Sequence, residues 1–468
     1  MGVVGRLPPT LASIHPSRII KATPVVRWPT APRRWAGTID RPAVTSNSCL
    51  MGWIYLAVSI NGAAYTLTAF RPPKRSRVLY GWSFFASWVT IELAPFHLLW
   101  QVIATVFFAS RGALRTRPGK VGLVVTLASW AGLAVSIRRS YGARHEIRNA
   151  LRELSHESTE HELGPVRVRR NIVFGRAGGR PLRLDVHEPA TAPRPGERRP
   201  ALIQVHGGGW VIGFKDRQGQ LIMRRLAKRG WVCFNVDYRL SPMATFPDHL
   251  VDVKRAIAWV REHADEYGID PDFIAVTGGS AGGHLTALAA LTGNEPQYQP
   301  GFEEADTSVQ AAVPFYGVYD FTNRNGVWPD ETVRRFLAPV VMKCDPDEAP
   351  ERYEAASPLD QVGASAPPFF VIHGDLDLLA PVEDARDFVH RLREVSDQPV
   401  YYLELRGAQH AFETFASVRA NAVVEAAERF LDAVHTAHLR SGDHTPTAAE
   451  VDEAMTDQVG EEAAAVVR

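Results

Sequence analysis

A single serine, Ser280, lies among four glycines in the segment VTGGSAGGHL, directly after the apolar run DFIAV. Glycine weakens helices and strands, so this concentration indicates a backbone too crowded for side chains. The pattern G-x-S-x-G at 278–282 falls between a predicted strand and a predicted helix, where a sharp turn points a serine oxygen outward. Alone it is weak evidence, because chance produces it in about one chain in seven of this size. A plain glycine-rich turn is the alternative.

A second glycine-rich motif, HGGGW at 206–210, ends a predicted strand upstream of the serine. Glycines allow backbone N–H groups to approach a developing oxyanion, and one such donor is worth about 3 kcal/mol in a transition state. We expect the N–H groups of Gly208 and Gly209, with that of Ala281, to form an oxyanion hole. Gly207 is expected to shape the loop.

A serine nucleophile needs a base, and the base needs a carboxylate that orients it. Asp375 and Asp377 follow the predicted strand FFVI, and His410 follows the next strand, YYLEL. Sites in open α/β sheets gather at the carboxyl ends of strands, so these residues are expected to converge. We expect Ser280, Asp377 and His410 to act as nucleophile, acid and base. Asp375, expected in a turn or cap, remains the rival acid.

Three other histidines compete with His410 for the role of base. His206 and His373 lie at predicted strand ends, where histidine commonly makes a structural hydrogen bond. His284 lies on the first turn of the helix after Ser280, too near in sequence to reach back easily. His410 follows the last strand in a loop with glycine, which favours it.

The region from about residue 166 alternates short apolar runs with helical periods. Near-continuous apolar runs are typical of strands buried on both faces. The fold class expected is therefore α/β, a mostly parallel sheet with helices on both faces, in the chain order Ser, Asp, His of the α/β-hydrolase fold. The predicted buried strands are PALIQV, WVCFNVDY, DFIAV, VQAAVPFY, PPFFVI and VYYLEL.

Three apolar regions precede this sheet. Residues 49–70 carry no charge and would extend about 33 Å as a helix, enough for a hydrocarbon core of about 30 Å. We expect further spans at about 88–109 and at 121–137, since arginines and aromatic residues flank these runs. Four spans, or buried helices of a soluble domain, are the alternatives. If the basic N-terminal segment stays in the cytoplasm, three spans place the C-terminal part outside the cell and four place it inside.

The chain is thus expected to have five parts, in a multi-pass protein of a bacterial plasma membrane. The parts are a basic segment (1–48), a membrane block of three helices (49–138), an amphipathic linker helix (139–164), a catalytic domain (165–438) and an acidic disordered tail (439–468).

Charge and cysteine content exclude other classes of protein. The net charge of +1 gives no basic field for nucleic acid. The three cysteines, Cys49, Cys233 and Cys344, indicate neither a disulfide framework nor a zinc site.

The motifs HGGGW, DYRLSP, GGSAGGHL, HGDLD and GAQHAF follow the order and approximate spacing of one family. Residues 165–437 resemble the hormone-sensitive-lipase-like branch of the α/β-hydrolases. The resemblance implies a serine carboxylesterase or lipase-like enzyme that forms an acyl-enzyme without a metal or organic cofactor. With its N-terminal block, the chain also resembles membrane-anchored carboxylesterases of mycobacteria and isoprenylcysteine methylesterases. Gly279 departs from the pattern, since many members have Asp there, and the motifs are closer to feruloyl-esterase-like and arylformamidase-like relatives.

Membrane attachment favours a lipophilic substrate, either a small ester or a lipid, with membrane lipid as the other partner. Trp210 and Trp328 are candidate substrate contacts, and the insertion 319–358 is a candidate roof for the pocket. Phe336 in that insertion is a candidate wall of an acyl site or ordinary packing. Two other functions remain open: an amidase of the arylformamidase type, and a non-catalytic binding protein of the same fold.

Overall fold

The computed structural model describes residues 46–71, 77–151, 164–328 and 332–441. Most of the predicted basic segment (1–48) and of the predicted acidic tail (439–468) therefore lies outside the described residues. The last helix continues to Ser441, three residues beyond the predicted end of the catalytic domain.

The N-terminal block is helical. The predicted helix over 88–109 is wrong in extent, because the chain bends by 92° between two helices that meet at Leu93. The predicted boundary at 138/139 falls inside one continuous helix, and 152–163 of the predicted linker lie outside the described residues. The helices are α1 (Ser46–Thr68), α2 (Arg77–Glu92), α3 (Ala94–Ser110) and α4 (Arg117–Ala150).

Helices α1 and α4 are long and apolar enough to cross a membrane, and the bent pair α2–α3 makes a third candidate if it counts as one span. Their burial pattern is inverted relative to a water-soluble bundle. Helix α1 buries Gly52, Ser59 and Thr66, whereas Trp53 and Leu67 are 60% and 61% exposed. Large apolar side chains thus face outward and small or polar ones face the neighbouring helices, as in membrane bundles.

Polar side chains join these helices. Thr66 Oγ1 lies 2.8 Å from Ser129 Oγ, and Tyr55 Oη donates to Thr126 Oγ1 at 3.2 Å. The N–H of Gln101 in α3 also donates to Ser129 at 3.0 Å. These hydrogen bonds link α1, α3 and α4 through buried hydroxyl and amide groups.

The second half of the chain forms an eight-stranded sheet with the order β1-β2-β4-β3-β5-β6-β7-β8. Strands β1, β2 and β4 pair antiparallel, and the pairs from β4 through β8 are parallel. This confirms the predicted mostly parallel sheet. The strands are β1 (Val166–Ala177), β2 (Arg180–Pro189), β3 (Arg199–Val205), β4 (Val232–Val236), β5 (Ile269–Gly279), β6 (Ala311–Phe315), β7 (Phe369–Gly374) and β8 (Val400–Leu405).

Helices cover both faces, which explains the near-continuous apolar strands. In β3, Ile203 and Val205 join one hydrophobic cluster and Leu202 joins the other. The cluster around Leu202 also includes Ala143 and Ile147, so the end of α4 packs against the sheet domain. The other helices are α5 (Gln220–Lys228), α6 (Asp248–Glu262), α7 (Ala264–Tyr267), α8 (Ala281–Leu291), α9 (Pro350–Ala355), α10 (Val382–Val395) and α11 (Val418–Ser441), with a π-helix at Val333–Met342.

Candidate active site

Ser280 occupies a strained turn between the end of β5 and the start of α8. Its backbone has φ 60° and ψ −123°, a conformation that persists only where the surrounding structure enforces it. A Cβ added at Gly278 would lie 2.5 Å from the carbonyl oxygen of Val205, and one at Gly282 would lie 2.1 Å from the same oxygen. The two glycines are therefore required because strand β3 passes directly against the turn.

Asp377 and His410 form a hydrogen-bonded pair just beyond β7 and β8. Nδ1 of His410 donates to Oδ2 of Asp377 at 2.7 Å, while Oδ1 accepts from the N–H groups of Leu379 and Ala380 at 2.8 Å each. Burial raises the pKa of Asp377, but the charge of His410 and hydrogen bonds from His373 and His410 outweigh burial and hold that pKa well below its usual range. An ionised Asp377 favours the tautomer with the proton on Nδ1, so Nε2 is the nitrogen that can accept a proton.

Asp375 faces a different group. Its Oδ1 accepts from the N–H of Gly407 at 2.6 Å, in the turn that follows β8. Burial raises the pKa of Asp375. This turn contact agrees with the structural role expected for Asp375 and favours Asp377 as the acid.

The three competing histidines contact the loops around the site, and Nε2 of His373 also lies 3.4 Å from Oδ2 of Asp377. Nδ1 of His206 donates to the carbonyl of Gly207 at 2.9 Å, and Nε2 of His373 donates to that of Ala380 at 2.9 Å. His284 is buried, with Nε2 2.7 Å from a backbone carbonyl, and burial lowers its pKa to about 3. Each ring therefore stabilises the loops around the site.

The HGGGW loop packs against the nucleophile turn. A Cβ at Gly207 would lie 3.0 Å from Cβ of Ser280 and 2.5 Å from the carbonyl oxygen of Gly279. The N–H of Gly207 donates to Oε1 of Gln218 at 2.6 Å, so it is occupied and unavailable to a substrate. This arrangement suits the loop-shaping role expected for Gly207.

Gly208 and Gly209 follow with φ of 127° and 59°, values that L side chains rarely adopt. Across the described ranges, the N–H groups of Gly208, Gly209 and Ala281 have no hydrogen-bond acceptor in the protein. Amides without an acceptor at these positions could receive negative charge, and an oxyanion hole formed by them remains a prediction. The ring of Phe336 lies against Gly209, 3.5 Å from the position of an added Cβ, which places Phe336 beside the loop.

The two tryptophans expected to contact substrate are mostly buried. Trp210 is 4% exposed, and its Nε1 donates to Nδ1 of His284 at 3.2 Å. Trp328 is 8% exposed, and its Nε1 donates to Oδ2 of Asp384 at 2.6 Å. Both indoles therefore anchor the walls of the domain, and substrate contact by either remains a prediction.

Sequence reasoning missed two aromatic neighbours of His410. The ring of Tyr316, which directly follows β6, lies 4.6 Å from the imidazole between ring centroids. The ring of Phe84, from α2, lies 6.5 Å from it in an edge-to-face arrangement. The position of Tyr316 at a strand end was a usable signal, whereas nothing near Phe84 pointed to the site.

Comparison with known proteins places these features in a family. The family model described as BD-FAE matches residues 184–392. LipM of Mycobacterium tuberculosis, named a probable carboxylic ester hydrolase, is 41% identical over 421 residues, covering 84% of this chain and 96% of LipM. The chain belongs to the hormone-sensitive-lipase-like family of α/β-hydrolases.

Two further comparisons cover part of the chain. The esterase LipQ of M. tuberculosis is 48% identical over 266 residues, which are 57% of this chain and 62% of LipQ. Among solved structures, the apo form of Thermogutta terrifontis esterase 2 has a TM-score of 0.47 and 26% identity, covering 62% of this chain and all of that one. Residues 165–468 are less than two thirds of the chain, so the alignment with LipM extends into the residues before 165.

Proposed function

We propose that the protein is a serine carboxylesterase that cleaves carboxylic esters through an acyl-enzyme on Ser280. The observation that carries this proposal is the 2.7 Å hydrogen bond between His410 Nδ1 and Asp377 Oδ2, at the same sheet edge as the strained Ser280 turn. The names of two relatives agree with this proposal, since LipM is named a probable carboxylic ester hydrolase and LipQ an esterase.

The reaction proceeds in two steps. His410 Nε2 takes the proton of Ser280 as the hydroxyl attacks the ester carbonyl, and Asp377 stabilises the imidazolium. The N–H groups of Gly208, Gly209 and Ala281 stabilise the tetrahedral oxyanion. His410 then protonates the leaving alcohol, and water attacks the acyl-enzyme by the same route to release the acid.

A panel of p-nitrophenyl esters from acetate to palmitate tests this proposal with the full chain in detergent. Wild type should hydrolyse at least part of the panel, and Ser280→Ala and His410→Ala should each lower kcat by about 10⁴-fold or more. A fluorophosphonate probe should add one adduct to wild type, at Ser280, and none to Ser280→Ala. An N-formyl arylamide in the same panel measures amidase activity.

Either of two results would remove the esterase proposal. One is a folded wild-type protein that turns over no ester and takes no probe. The other is full activity in Ser280→Ala. Faster turnover of the arylamide than of every ester would favour the arylformamidase type of amidase instead.

We also infer that the N-terminal helices lie in a membrane and that the substrate is lipophilic. The inverted burial of α1 supports this inference, since Trp53 and Leu67 face outward while Ser59 and Thr66 are buried. Beside the glycine loop, Ile212 and Phe214 are also exposed, which suits a lipophilic ester. The full chain should stay in the membrane fraction after carbonate extraction, and release into the supernatant would contradict this. Protease protection of the C-terminus then distinguishes three spans from two, the numbers that the described helices allow.

A further inference from the structure

Helix α2 of the N-terminal block lies along the segment that carries His410. We call residues 406–417, which join β8 to α11, the histidine loop. The contacts come from Phe84, Ser87, Trp88 and Glu92, which are spaced three and four residues apart and therefore share one face of α2. The opposite side of the helix carries Val89, which is exposed.

The side chain of Gln409 connects α2 to both catalytic loops. Its Oε1 accepts from the backbone N–H of His410 at 3.0 Å and from that of Leu378 at 2.8 Å. Its Nε2 donates to Oγ of Ser87 at 2.9 Å. Leu378 directly follows Asp377, so a single buried amide holds the acid, the base and the helix in one hydrogen-bond network.

Trp88 holds the other side of His410. Its Nε1 donates to the carbonyl of Ala411 at 3.0 Å, and its ring lies 4.8 Å from that of Phe415. Ala411 has φ 57°, so its carbonyl is held in a strained backbone. The residues on both sides of His410 are therefore hydrogen-bonded to α2.

The end of α2 is anchored by a buried ion pair. Oε1 of Glu92 accepts from Arg419 at 2.7 Å, and its Oε2 accepts from Ser417 at 2.8 Å. The side chains of both partners of the ion pair are at most 1% exposed. Such a pair stabilises the native state little compared with an apolar pair, but removing one partner is costly because it leaves a buried charge unpaired.

We propose that α2 is a positioning element of the active site, in which Ser87 and Trp88 hold residues 409–411 so that His410 meets Ser280. This inference rests on the proposed esterase function. A hydrogen-bond network of this kind limits the motion of the imidazole, and a displacement of about 1 Å can cost about 100-fold in rate. The N-terminal block thus contributes to catalysis as well as to membrane attachment.

Full-chain variants test the proposal. Ser87→Ala removes the hydroxyl that accepts from Gln409, whereas Ser87→Thr keeps a hydroxyl at this position. Trp88→Phe keeps an aromatic ring but removes the N–H that donates to Ala411. Val89→Ala is the matched control on the exposed side of the helix. We expect kcat for a short ester to fall about tenfold or more in Ser87→Ala and Trp88→Phe, with KM changed less than about twofold. Ser87→Thr and Val89→Ala should stay near wild type.

The rate of fluorophosphonate labelling of Ser280 is measured alongside turnover, because it reports the nucleophile without depending on an ester substrate. Values of kcat and labelling rate within about twofold of wild type in both Ser87→Ala and Trp88→Phe would overturn the proposal, as would an equal loss in Val89→Ala. If Ser87→Ala fails to fold, the kcat and labelling rate of Trp88→Phe decide whether the proposal stands. Failure of the proposed function would appear separately, as turnover by Ser280→Ala.

Discussion

The phenol oxygen of Tyr316 occupies the space into which a side chain at position 279 would project. An ideal Cβ on Gly279 would lie 2.5 Å from Tyr316 Oη and 2.9 Å from two ring carbons. Tyr316 cannot move aside easily, because it is buried and its hydroxyl donates to Glu413. This contact leaves no room for the aspartate that the resemblance leads us to expect at position 279.

We therefore expect Gly279→Ala to destabilise the protein by about 1 to 3 kcal/mol, as overpacking of a rigid core does. Chemical denaturation gives the change in the free energy of unfolding. Gly142→Ala is the control, since an added Cβ there meets nothing within 4 Å in the middle of α4. The control should be neutral or stabilising by up to about 1 kcal/mol. Equal stability of Gly279→Ala and wild type would show that Tyr316 can shift.

The choice between the two acids can be measured directly. Asp377→Asn leaves an amide against His410 Nδ1 and favours the wrong tautomer, so kcat should fall by about 10⁴-fold. Asp375→Asn keeps an oxygen that can accept from Gly407, so kcat should change less than about tenfold. Steady-state kinetics on one ester decides, and a larger loss in Asp375→Asn would reverse the assignment.

The glycine loop offers a test of the oxyanion hole. Gly207→Ala puts a methyl group 3.0 Å from Cβ of Ser280 and 2.5 Å from the Gly279 oxygen, which pushes the loop away from the nucleophile. We expect kcat to fall about 100-fold, comparable to the loss of one oxyanion donor, with a small change in KM. Gly363→Ala, where an added Cβ meets nothing within 4 Å, should keep wild-type kinetics. An unchanged kcat in Gly207→Ala would contradict the close packing of the two loops.

Asp384 makes stability depend on pH. Burial raises its pKa from 3.8 to about 7, with Asp320 and Asp387 adding to the rise and Trp328 opposing it. The folded state therefore holds a proton that the unfolded state loses first. The contribution of this group to the free energy of unfolding is fully present below about pH 4. It is lost as the pH rises through about 7, by up to about 4 kcal/mol.

Asp384→Asn should remove this loss, because the amide stays neutral and its oxygen can still accept from Trp328. We expect the variant to match wild type near pH 4 and to be more stable at pH 8. Urea denaturation at the two values measures the difference. A difference in unfolding free energy between Asp384→Asn and wild type that is independent of pH, or that grows as the pH falls, would show that Asp384 ionises normally in the folded protein.

Much of the site could be predicted from the sequence because its signals are local. The glycines around Ser280 and in the HGGGW loop report backbone crowding and positive φ, which are properties of a few adjacent residues. The apolar runs and the turns that follow them likewise predicted the parallel sheet and the pairing of Asp377 with His410 beyond its strands, while the catalytic role of Ser280 with this pair remains a prediction. The apolar composition of α1 and α4 indicated helices that can cross a membrane.

Other features were decided only by tertiary structure. Asp375 and Asp377 follow the same strand two residues apart, and only the packing of β7 and β8 directs one to Gly407 and the other to His410. Pro95 in the first turn of α3 was a local signal for the helix boundary at Leu93, but the contact of Ser87 and Gln409 across 322 residues left no local pattern. The physical reason is that such contacts arise from the docking of separate elements, where each side chain gains its role from a partner that its own neighbours in sequence do not specify.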